Sequence, residues 1–465
     1  MNHSEKINSL LEKGILISPD FLEKKDSANP KIKNVSALQN DLDKDAKVRV
    51  IKNYTKPSKK RVVADFVNFF TARFKSLEKM IKIRPEMKGL VSIGKLKLKT
   101  EKDSVSVIGM IREKTITKNN NIILKVEDLS GQTNVLIHKN NADYYDIGKD
   151  LVLDEVIGVV GSLGQNIIFA NLIVFPDVSL NKEFKKGPKE HYAVFISDMH
   201  VGSTFFLRKE FEKFISWING DLGTKEQRET AKKTKYVFIT GDLVEGVSVY
   251  PGQEENLETK DIILQYEDLA QYLRKIPSDK KLIICSGNHD AGRIAEPQPP
   301  VHKDFAKAIW DLPNVMILSN PSMVNIDSDE DFSGLDVLLY HGYSLIYYAN
   351  NVPSIRAAGG QKKADLIMKF LLQKRHLAPT HESNMYIPDA EEDPLVIDRV
   401  PDVFVTGHIH RATAAQYRNI TLLNTSCWGA VTEDQEKRGL EPQPARTFVL
   451  NIQTRKVSII NFLGT

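Results

Sequence analysis

Five short apolar segments in this chain each end at a few polar residues, and this repeated arrangement constrains the fold more than any other feature. The segments are AVFIS, YVFIT, LIICS, VLLY and VFVT. Runs of four or five Val, Ile, Leu and aromatic residues are typical of buried strands. The residues that follow them are, in order, Asp198-Met199-His200, Gly241-Asp242, Gly287-Asn288-His289-Asp290, His341-Gly342 and Gly407-His408-Ile409-His410. The pattern predicts that these polar groups gather along one rim of an α/β sheet.

Length and composition narrow the class of protein. A chain of 465 residues with 41% hydrophobic residues is long enough for two or three domains. Lys and Arg total 64 against 60 for Asp and Glu, and this balance does not by itself indicate a nucleic-acid partner. The start lacks a signal-peptide pattern and no stretch of about 18 apolar residues occurs, so we expect a cytoplasmic protein without membrane contact. Cys285 and Cys427 lack CxxC spacing and are expected to be reduced core thiols.

The first 61 residues divide into two segments of different composition. Apolar residues recur at helical spacing between Ile7 and Ile15, which predicts a small helical N-terminal module over residues 1–24. Residues 25–61 are polar and have no sustained period, which predicts a flexible linker. Its end, residues 47–61, is rich in Lys and Arg. We interpret this end as a solvated tether, and contact with phosphate backbones is the alternative.

Residues 62–180 are predicted to form an OB-fold domain preceded by a helix. The helix is predicted from six apolar residues along one face, namely Phe66, Phe69, Phe70, Phe74, Leu77 and Ile81. Five short alternating segments follow between residues 104 and 175, and their spacing is typical of an OB-type barrel. Such barrels often bind single strands through exposed aromatic residues, but these segments contain only Phe169. A scaffolding role is therefore at least as favoured as DNA binding.

Residues 190–465 carry the five motifs, which together contain enough ligands for two divalent metal ions. Two ions about 3.5–4 Å apart require a bridging carboxylate and a ring of oxygen and nitrogen ligands. The motifs predict two sets that share Asp242 as the bridge, Asp198, His200, Asp242 and His410 for one ion, and Asp242, Asn288, His341 and His408 for the other. The i, i+2 spacing within DMH and HIH would point both side chains of each pair to one side of an extended segment.

The chemistry that such a pair of ions supports is phosphoester hydrolysis. The ions would lower the pKa of a water molecule, polarise a phosphoryl oxygen and stabilise the attacking and leaving oxygens of an in-line displacement. His289 is the predicted catalytic histidine, which would stabilise the phosphorus centre or protonate the leaving oxygen, and Asp290 is predicted to orient its ring. Oxygen and imidazole ligands without thiolate suit manganese, our first expectation, and also suit iron or zinc.

The five motifs resemble the signature of the calcineurin-like metallophosphoesterases, and this resemblance covers residues 192 to about 430. The order of helix, linker, OB barrel and phosphoesterase domain resembles, more narrowly, the small subunits of archaeal family D DNA polymerases. Two further stretches fit that family, Tyr250-Pro251-Gly252-Gln253-Glu254-Glu255 and Arg375-His376-Leu377-Ala378-Pro379-Thr380. The implied fold is an OB-fold β-barrel plus an α/β calcineurin-like phosphoesterase sandwich, with a small N-terminal helical module.

The resemblance implies a function and a partner that the motifs alone do not give. It implies a metal-dependent 3′ to 5′ exonuclease that proofreads single-stranded or mismatched DNA ends within a replicative DNA polymerase. It also implies a heterodimer with a large subunit that carries the polymerase activity. The direction of cleavage depends wholly on the resemblance. All the predicted ligand positions match, so active chemistry is expected.

Two other functions remain open at this level. The chain could serve mainly as an assembly subunit with a weak metal site, and a protein that is inactive with manganese yet stabilises a polymerase subunit would favour this. It could instead be a stand-alone metallophosphoesterase acting on small substrates. Activity on a generic phosphate ester but none on DNA would favour that alternative.

Overall fold

In a computed structural model, which describes residues 47–464, the apolar segments form strands of two six-stranded mixed sheets, and a closed barrel precedes most of them. The predicted helical module and most of the predicted linker lie outside the described residues. The strands are β1 (Val48–Asn53), β2 (Ser104–Ile116), β3 (Ile122–Asp128), β4 (Gly131–Ile137), β5 (Val156–Gly164), β6 (Ile167–Val174), β7 (Tyr192–Ile196), β8 (Thr234–Thr240), β9 (Lys281–Cys285), β10 (Val315–Leu318), β11 (Ser322–Ile326), β12 (Leu335–Leu339), β13 (Val403–Thr406), β14 (Thr413–Tyr417), β15 (Ile420–Asn424), β16 (Arg446–Asn451) and β17 (Val457–Asn461).

Helices connect and cover these strands. They are α1 (Val63–Lys82), α2 (Ala142–Asp150), α3 (Arg208–Ile218), α4 (Lys225–Lys233), α5 (Ile262–Leu273), α6 (Lys303–Trp310), α7 (Leu345–Asn351), α8 (Pro353–Ala357), α9 (Ala364–Lys374) and α10 (Glu433–Lys437), with short 3-10 helices at Ile93–Leu98, Gln253–Asn256 and Gly360–Lys362. Within residues 47–464, no helix combines the length and apolar character needed to cross a membrane. All of these elements belong to one compact unit.

The five motif-bearing strands are divided between the two sheets. The first sheet has the order β10-β9-β8-β7-β16-β17, and β7 to β10 run parallel in it. The second sheet has the order β1-β11-β12-β13-β15-β14, with β12 parallel to β13. All five segments are strands as predicted, but the prediction of one sheet rim is wrong. A sequence pattern identifies a buried strand without identifying its neighbours, and the motifs end strands of both sheets.

The two sheets pack face to face around a common apolar core. Phe195 of β7 and Phe238 of β8 stack with ring centroids 4.8 Å apart, and they belong to the same buried cluster as Val337 of β12 and Val405 of β13. Helices α3 and α5 cover the outer face of the first sheet. Helices α7 and α9 cover the outer face of the second sheet. Covering both sheets with helices fixes the strand ends, which carry the polar motifs.

The barrel contains the five strands predicted between residues 104 and 175. Its closed order is β2-β3-β4-β6-β5, and the long strand β2 pairs antiparallel with both β3 and β5. The register between β5 and β6 shifts at Gly161, where a Cβ atom would lie 2.2 Å from the carbonyl oxygen of Phe169. The glycine therefore allows the two strands to approach closely where the barrel bends.

Helix α1 packs its apolar face on the outside of this barrel. Phe74, Leu77 and Ile81 are buried against barrel residues that include Ile108 and Val156. The helix predicted from the phenylalanine-rich stripe is thus confirmed, and its second half packs on its own domain as expected. Phe69 instead stacks on Tyr386 of the predicted 190–465 domain, with ring centroids 5.2 Å apart. Phe66, at the start of the stripe, is 42% exposed.

The predicted flexible linker is wrong over residues 48–53, which form β1 at the edge of the second sheet. β1 pairs antiparallel with β11, from Val48 opposite Ile326 to Asn53 opposite Ser322. Edge strands carry Lys and Arg at their exposed positions, so a short edge strand has the composition of a linker. The basic stretch also contacts acidic groups of this chain, because Lys56 Nζ lies 3.1 Å from Asp389 Oδ1.

Candidate metal centre

The loops that follow the five motif strands meet at one place between the sheets. Asp198 and Asp242 follow β7 and β8 of the first sheet, and His341 and His408 follow β12 and β13 of the second. The backbone NH of His408 donates hydrogen bonds of 3.1 and 3.0 Å to the two carboxylate oxygens of Asp198. A direct hydrogen bond therefore connects the loops of the two sheets.

The backbone of these loops is left-handed at the predicted ligand positions. The φ angle is positive at five of the seven, namely Asp198 (50°), His200 (51°), Asp242 (47°), His408 (71°) and His410 (52°). The expectation that DMH and HIH are extended segments is therefore wrong. L-residues adopt this region only when the surrounding structure holds them there. The side chains converge through these turns rather than through strand alternation.

Asp198, His200 and His410 form the first donor set, in which one potential ligand atom of each lies within 4.8 Å of the others. His410 Nε2 is 3.4 Å from Asp198 Oδ1 and 3.3 Å from His200 Nε2. Asp198 is fully buried. Two imidazole nitrogens and a carboxylate oxygen at these separations form a group that could hold a cation.

Asp242, His341 and His408 form the second donor set. His341 Nε2 lies 3.3 Å from Asp242 Oδ2 and 3.0 Å from Asn288 Oδ1. The same Asp242 oxygen is 3.8 Å from His200 Nε2 of the first donor set. The structure thus brings all seven predicted ligands together, with the Asp242 carboxylate between the two sets.

Two glycines make room for this crowding. A Cβ atom on Gly287 would lie 2.2 Å from Asp242 Oδ1, and one on Gly241, which has a φ of 82°, would lie 2.4 Å from His341 Nδ1. Any larger residue at either position would displace a predicted ligand.

The electrostatics of the site reflect opposite charges held in a buried space. Burial opposes ionisation of the Asp242 carboxyl, but the charge of His341 outweighs it and holds the pKa of Asp242 well below its usual range. The reciprocal attraction overcomes burial and raises the pKa of His341 to about 10. Burial and the charge of His341 lower the pKa of His408 to about 3. A divalent cation bound here would therefore displace the proton of His341, because an imidazole binds a metal ion only in its neutral form.

His289 lies beside both donor sets. Its backbone NH donates a hydrogen bond of 2.9 Å to Asp242 Oδ1, and its ring meets that of His200 edge to face with centroids 4.6 Å apart. Its Nδ1 lies 2.8 Å from the backbone carbonyl oxygen of Glu245. Because a carbonyl only accepts, Nδ1 carries the proton and Nε2 remains free for chemistry.

Asp290 does not orient the His289 ring, so that prediction is wrong. Its carboxylate accepts hydrogen bonds from the backbone NH of Gly287 at 2.8 Å, from that of Leu243 at 3.2 Å and from the Tyr266 hydroxyl at 3.1 Å. Burial and the nearby Asp242 charge raise the pKa of Asp290 to about 7. Asp290 ties the second and third motif loops together. Adjacency to His289 in sequence could not distinguish these two roles.

Sequence reasoning missed Glu245, which is 5% exposed and borders both His200 and His289. The available signal was its position three residues after Asp242, since ligand histidines commonly pair with a nearby carboxylate. It also missed Tyr250 and Gln253 as residues of the site. Both lie within the stretch that was noted only for its family resemblance, and both contact Glu245.

A cleft of 940 Å³ opens onto these groups, with His200, Asp242, His289 and His410 in its wall. The aromatic residues Tyr250 and Phe205 and the basic residue Lys437 of α10 also line it. This volume lies at the upper end of the range of about 300–1,000 Å³ that is typical of small-molecule sites.

Comparison with known proteins gives a consistent result. Residues 193–415 match the family described as the B subunit of DNA polymerases alpha and epsilon. The chain is 38% identical to the DNA polymerase II small subunit of Methanothermobacter thermautotrophicus over 84% of this chain and 78% of that protein. It is equally identical to the same subunit of Archaeoglobus fulgidus, over 86% of this chain and 78% of that one. For Pyrococcus furiosus the identity is 38% over 87% of this chain and 64% of that protein. On this similarity the chain belongs to the family of small subunits of the archaeal family D DNA polymerases, also named DNA polymerase II.

Proposed function

We propose that this chain is a two-metal-dependent 3′ to 5′ exonuclease that removes nucleotides from single-stranded or mismatched DNA ends within a replicative polymerase. The observation that carries the proposal is the convergence of six oxygen and nitrogen donors around the Asp242 carboxylate, beside His289 and a cleft of 940 Å³. Membership of a DNA polymerase subunit family supports DNA as the substrate. The fold assignment proposed with it is an OB-type barrel followed by a calcineurin-like sandwich.

The residues would divide between two ions as their positions suggest. Asp198, His200 and His410 would hold one, His341, His408 and Asn288 the other, and Asp242 would contact both. Bound there, the ions would supply an acidified water molecule and a polarised phosphoryl group for in-line displacement. Manganese is the ion we propose, with iron or zinc as alternatives, because the donors are imidazole, carboxylate and amide without thiolate.

The protein side chains would position the reacting groups. The Asp242 carboxylate is fixed by the backbone NH of His289, so the metal centre and the catalytic ring are joined by one hydrogen bond of 2.9 Å. His289 would present Nε2 to the phosphodiester, take up the proton that the attacking water releases and pass it to the leaving oxygen. Burial lowers the pKa of His289, which favours release of the proton near neutral pH.

The proposal is tested with a DNA duplex that carries a 3′ mismatch and a label at its 5′ end, incubated with the protein and manganese. A ladder that shortens one nucleotide at a time from the 3′ end is expected. Asp242→Asn should abolish cleavage, and His289→Ala should slow it by about 100- to 10,000-fold. Asp279→Asn, at an exposed position that does not line the cleft, is the matched control and should cleave normally. Wild-type rates in Asp242→Asn would overturn the assigned site.

We also propose that the chain assembles with a large polymerase subunit. The relatives that it matches over most of its length are themselves small subunits of DNA polymerase II. Co-expression with the large subunit should yield a stoichiometric complex, both for the wild-type chain and for Asp242→Asn. If the wild-type chain and Asp242→Asn both assemble with the large subunit and neither cleaves DNA, assembly is the function of this chain. Cleavage of a generic phosphate ester but not of DNA would instead favour a stand-alone phosphoesterase.

A further inference from the structure

We propose that Glu245 is a positioning residue that sets the rings of His200 and His289 relative to each other, an inference that rests on the proposed function because it assigns these rings to metal binding and catalysis. Glu245 is placed in the loop after β8 and is nearly buried. It makes separate contacts to the two histidines, one through its carboxylate and one through its backbone carbonyl.

The carboxylate contact orients His200. Glu245 Oε2 lies at an ion-pair distance of 3.0 Å from His200 Nδ1, although the angle at the ring nitrogen does not meet hydrogen-bond geometry. A carboxylate at this atom favours a proton on Nδ1, and the lone pair of Nε2 then faces His410 and Asp242. Without this contact the ring could rotate or change tautomer, since its remaining contacts within the site are made by Nε2.

The carbonyl contact orients His289. The backbone carbonyl oxygen of Glu245 accepts from His289 Nδ1 at 2.8 Å, and the two imidazole rings then stand at 90° to each other with centroids 4.6 Å apart. One residue therefore fixes both rings, so a displacement of Glu245 would move the ligand and the catalytic group together.

The surrounding loop holds Glu245 in place. Gln253 Nε2 donates to both the carbonyl and Oε1 of Glu245, at 3.0 and 3.2 Å, and the Tyr250 hydroxyl donates to Oε1 at 3.1 Å. The next residue, Gly246, has a φ of 78°, and a Cβ atom there would lie 2.3 Å from the His289 carbonyl oxygen. Because Tyr250 lines the cleft, the substrate-facing wall is connected to the same carboxylate.

The test compares Glu245→Gln with Glu258→Gln, which removes an equal charge from an exposed residue paired with Arg208. Binding of Mn²⁺ is measured by calorimetry, and cleavage of the mismatched duplex is resolved into kcat and KM. Glu245→Gln should weaken Mn²⁺ binding and lower kcat by about 10- to 100-fold each, with KM unchanged. Glu258→Gln should match the wild-type protein. Tyr250→Phe should give a smaller loss of kcat, because Gln253 still holds the carboxylate.

A second readout needs neither metal nor activity. Nitrogen-15 NMR of the metal-free protein with labelled histidine should show His200 and His289 with the proton on Nδ1, and Glu245→Gln should broaden or shift the His200 signals. Unchanged Mn²⁺ affinity together with unchanged His200 signals would overturn the positioning role. The positioning role would also be overturned if Glu245→Gln bound one Mn²⁺ fewer per chain and bound the remaining Mn²⁺ with unaltered affinity, since Glu245 would then be a metal ligand. If the wild-type protein binds Mn²⁺ but cleaves no DNA, the proposed function fails while these measurements still decide the role of Glu245.

Discussion

Replacing Arg73 with Met should break the contact of helix α1 with Asp393 and cause a large loss of stability. Arg73 is 2% exposed although it carries a full charge. Its Nε donates to Asp393 Oδ2 at 2.6 Å and its Nη1 to the Pro379 carbonyl at 2.7 Å. Its guanidinium also lies over the rings of Phe69 and Phe70, 5.2 and 5.0 Å from their centroids.

The size of the expected stability loss follows from the partners that Asp393 would retain without Arg73. The Asp393 carboxylate is fully buried, and without Arg73 it would keep only the neutral His376 ring and the Leu395 backbone NH as partners. Removing one partner of a buried ion pair reduces stability by about 3–5 kcal/mol, because the other charge is left uncompensated. Methionine retains the apolar stem, so the packing on Phe69 contributes little to this difference.

The assay is urea unfolding of Arg73→Met, Asp393→Asn and the double variant. The double variant should lose less than the sum of the single losses, by about 1–3 kcal/mol, since the amide that replaces the Asp393 carboxylate carries no charge that needs a partner. Arg112→Met, which breaks an exposed pair with Glu127, is the control and should change stability by less than about 1 kcal/mol. An unfolding midpoint of Arg73→Met equal to that of the control would refute the reasoning.

Three further perturbations test other parts of the structure. Gly287→Ala should prevent Mn²⁺ binding in calorimetry, because its Cβ atom would lie 2.2 Å from the Asp242 carboxylate, whereas Gly429→Ala, with nothing within 4 Å, should bind normally. Lys374→Met removes the cation 2.7 Å from buried Glu155 and should lower the free energy of unfolding by about 3 kcal/mol, and a loss under about 1 kcal/mol would contradict this. Burial and then the charge of Arg73 lower the pKa of His376 from 6.5 to about 4, so the unfolded chain binds the extra proton and stability should fall as the pH drops from 6.5 to 4. His376→Gln should lose less stability over this range, and a fall in its urea midpoint equal to that of the wild-type protein would contradict the assignment to His376.

Much of the site could be predicted from sequence because its determinants are local. A buried strand is recognisable from four or five apolar residues, and each ligand lies within a few residues of such a strand. Only Ser197 separates the strand of Phe195 from Asp198, so the covalent chain places Asp198 at the end of that strand whatever the strand pairs with. The same holds for the barrel strands, whose turns lie between short alternating segments.

The remaining features depend on contacts that a local pattern does not contain. β1 is a strand because Val48 meets Ile326, which is far away along the chain, and its own composition resembles a linker. The division of the motifs between two sheets depends on which strands become neighbours. The roles of Asp290 and Glu245 depend on which of their two carboxylates reaches a histidine of the site. In the structure the Glu245 carboxylate does so, although Asp290 is the one adjacent to His289 in sequence.

The distribution of backbone strain bears on whether the site is chemically active or serves only in assembly. A non-glycine residue held in the left-handed region is less stable by about 1–3 kcal/mol, so the five such residues among the predicted ligands together lose roughly 5 kcal/mol or more. That loss is comparable with the whole stability of many domains. Tertiary hydrogen bonds hold these residues in the left-handed conformation. One example is the hydrogen bond of 3.0 Å from the backbone NH of Asp198 to the Gly241 carbonyl. Left-handed residues also occur in turns elsewhere among residues 47–464, such as Asn120 and Asn419, so the presence of strain alone does not indicate chemistry. Five of them clustered at the predicted ligands is a different matter, because a metal-dependent hydrolase requires its ligands in this geometry whereas a subunit needed only for assembly could relax them, and the clustering therefore supports the proposed chemistry.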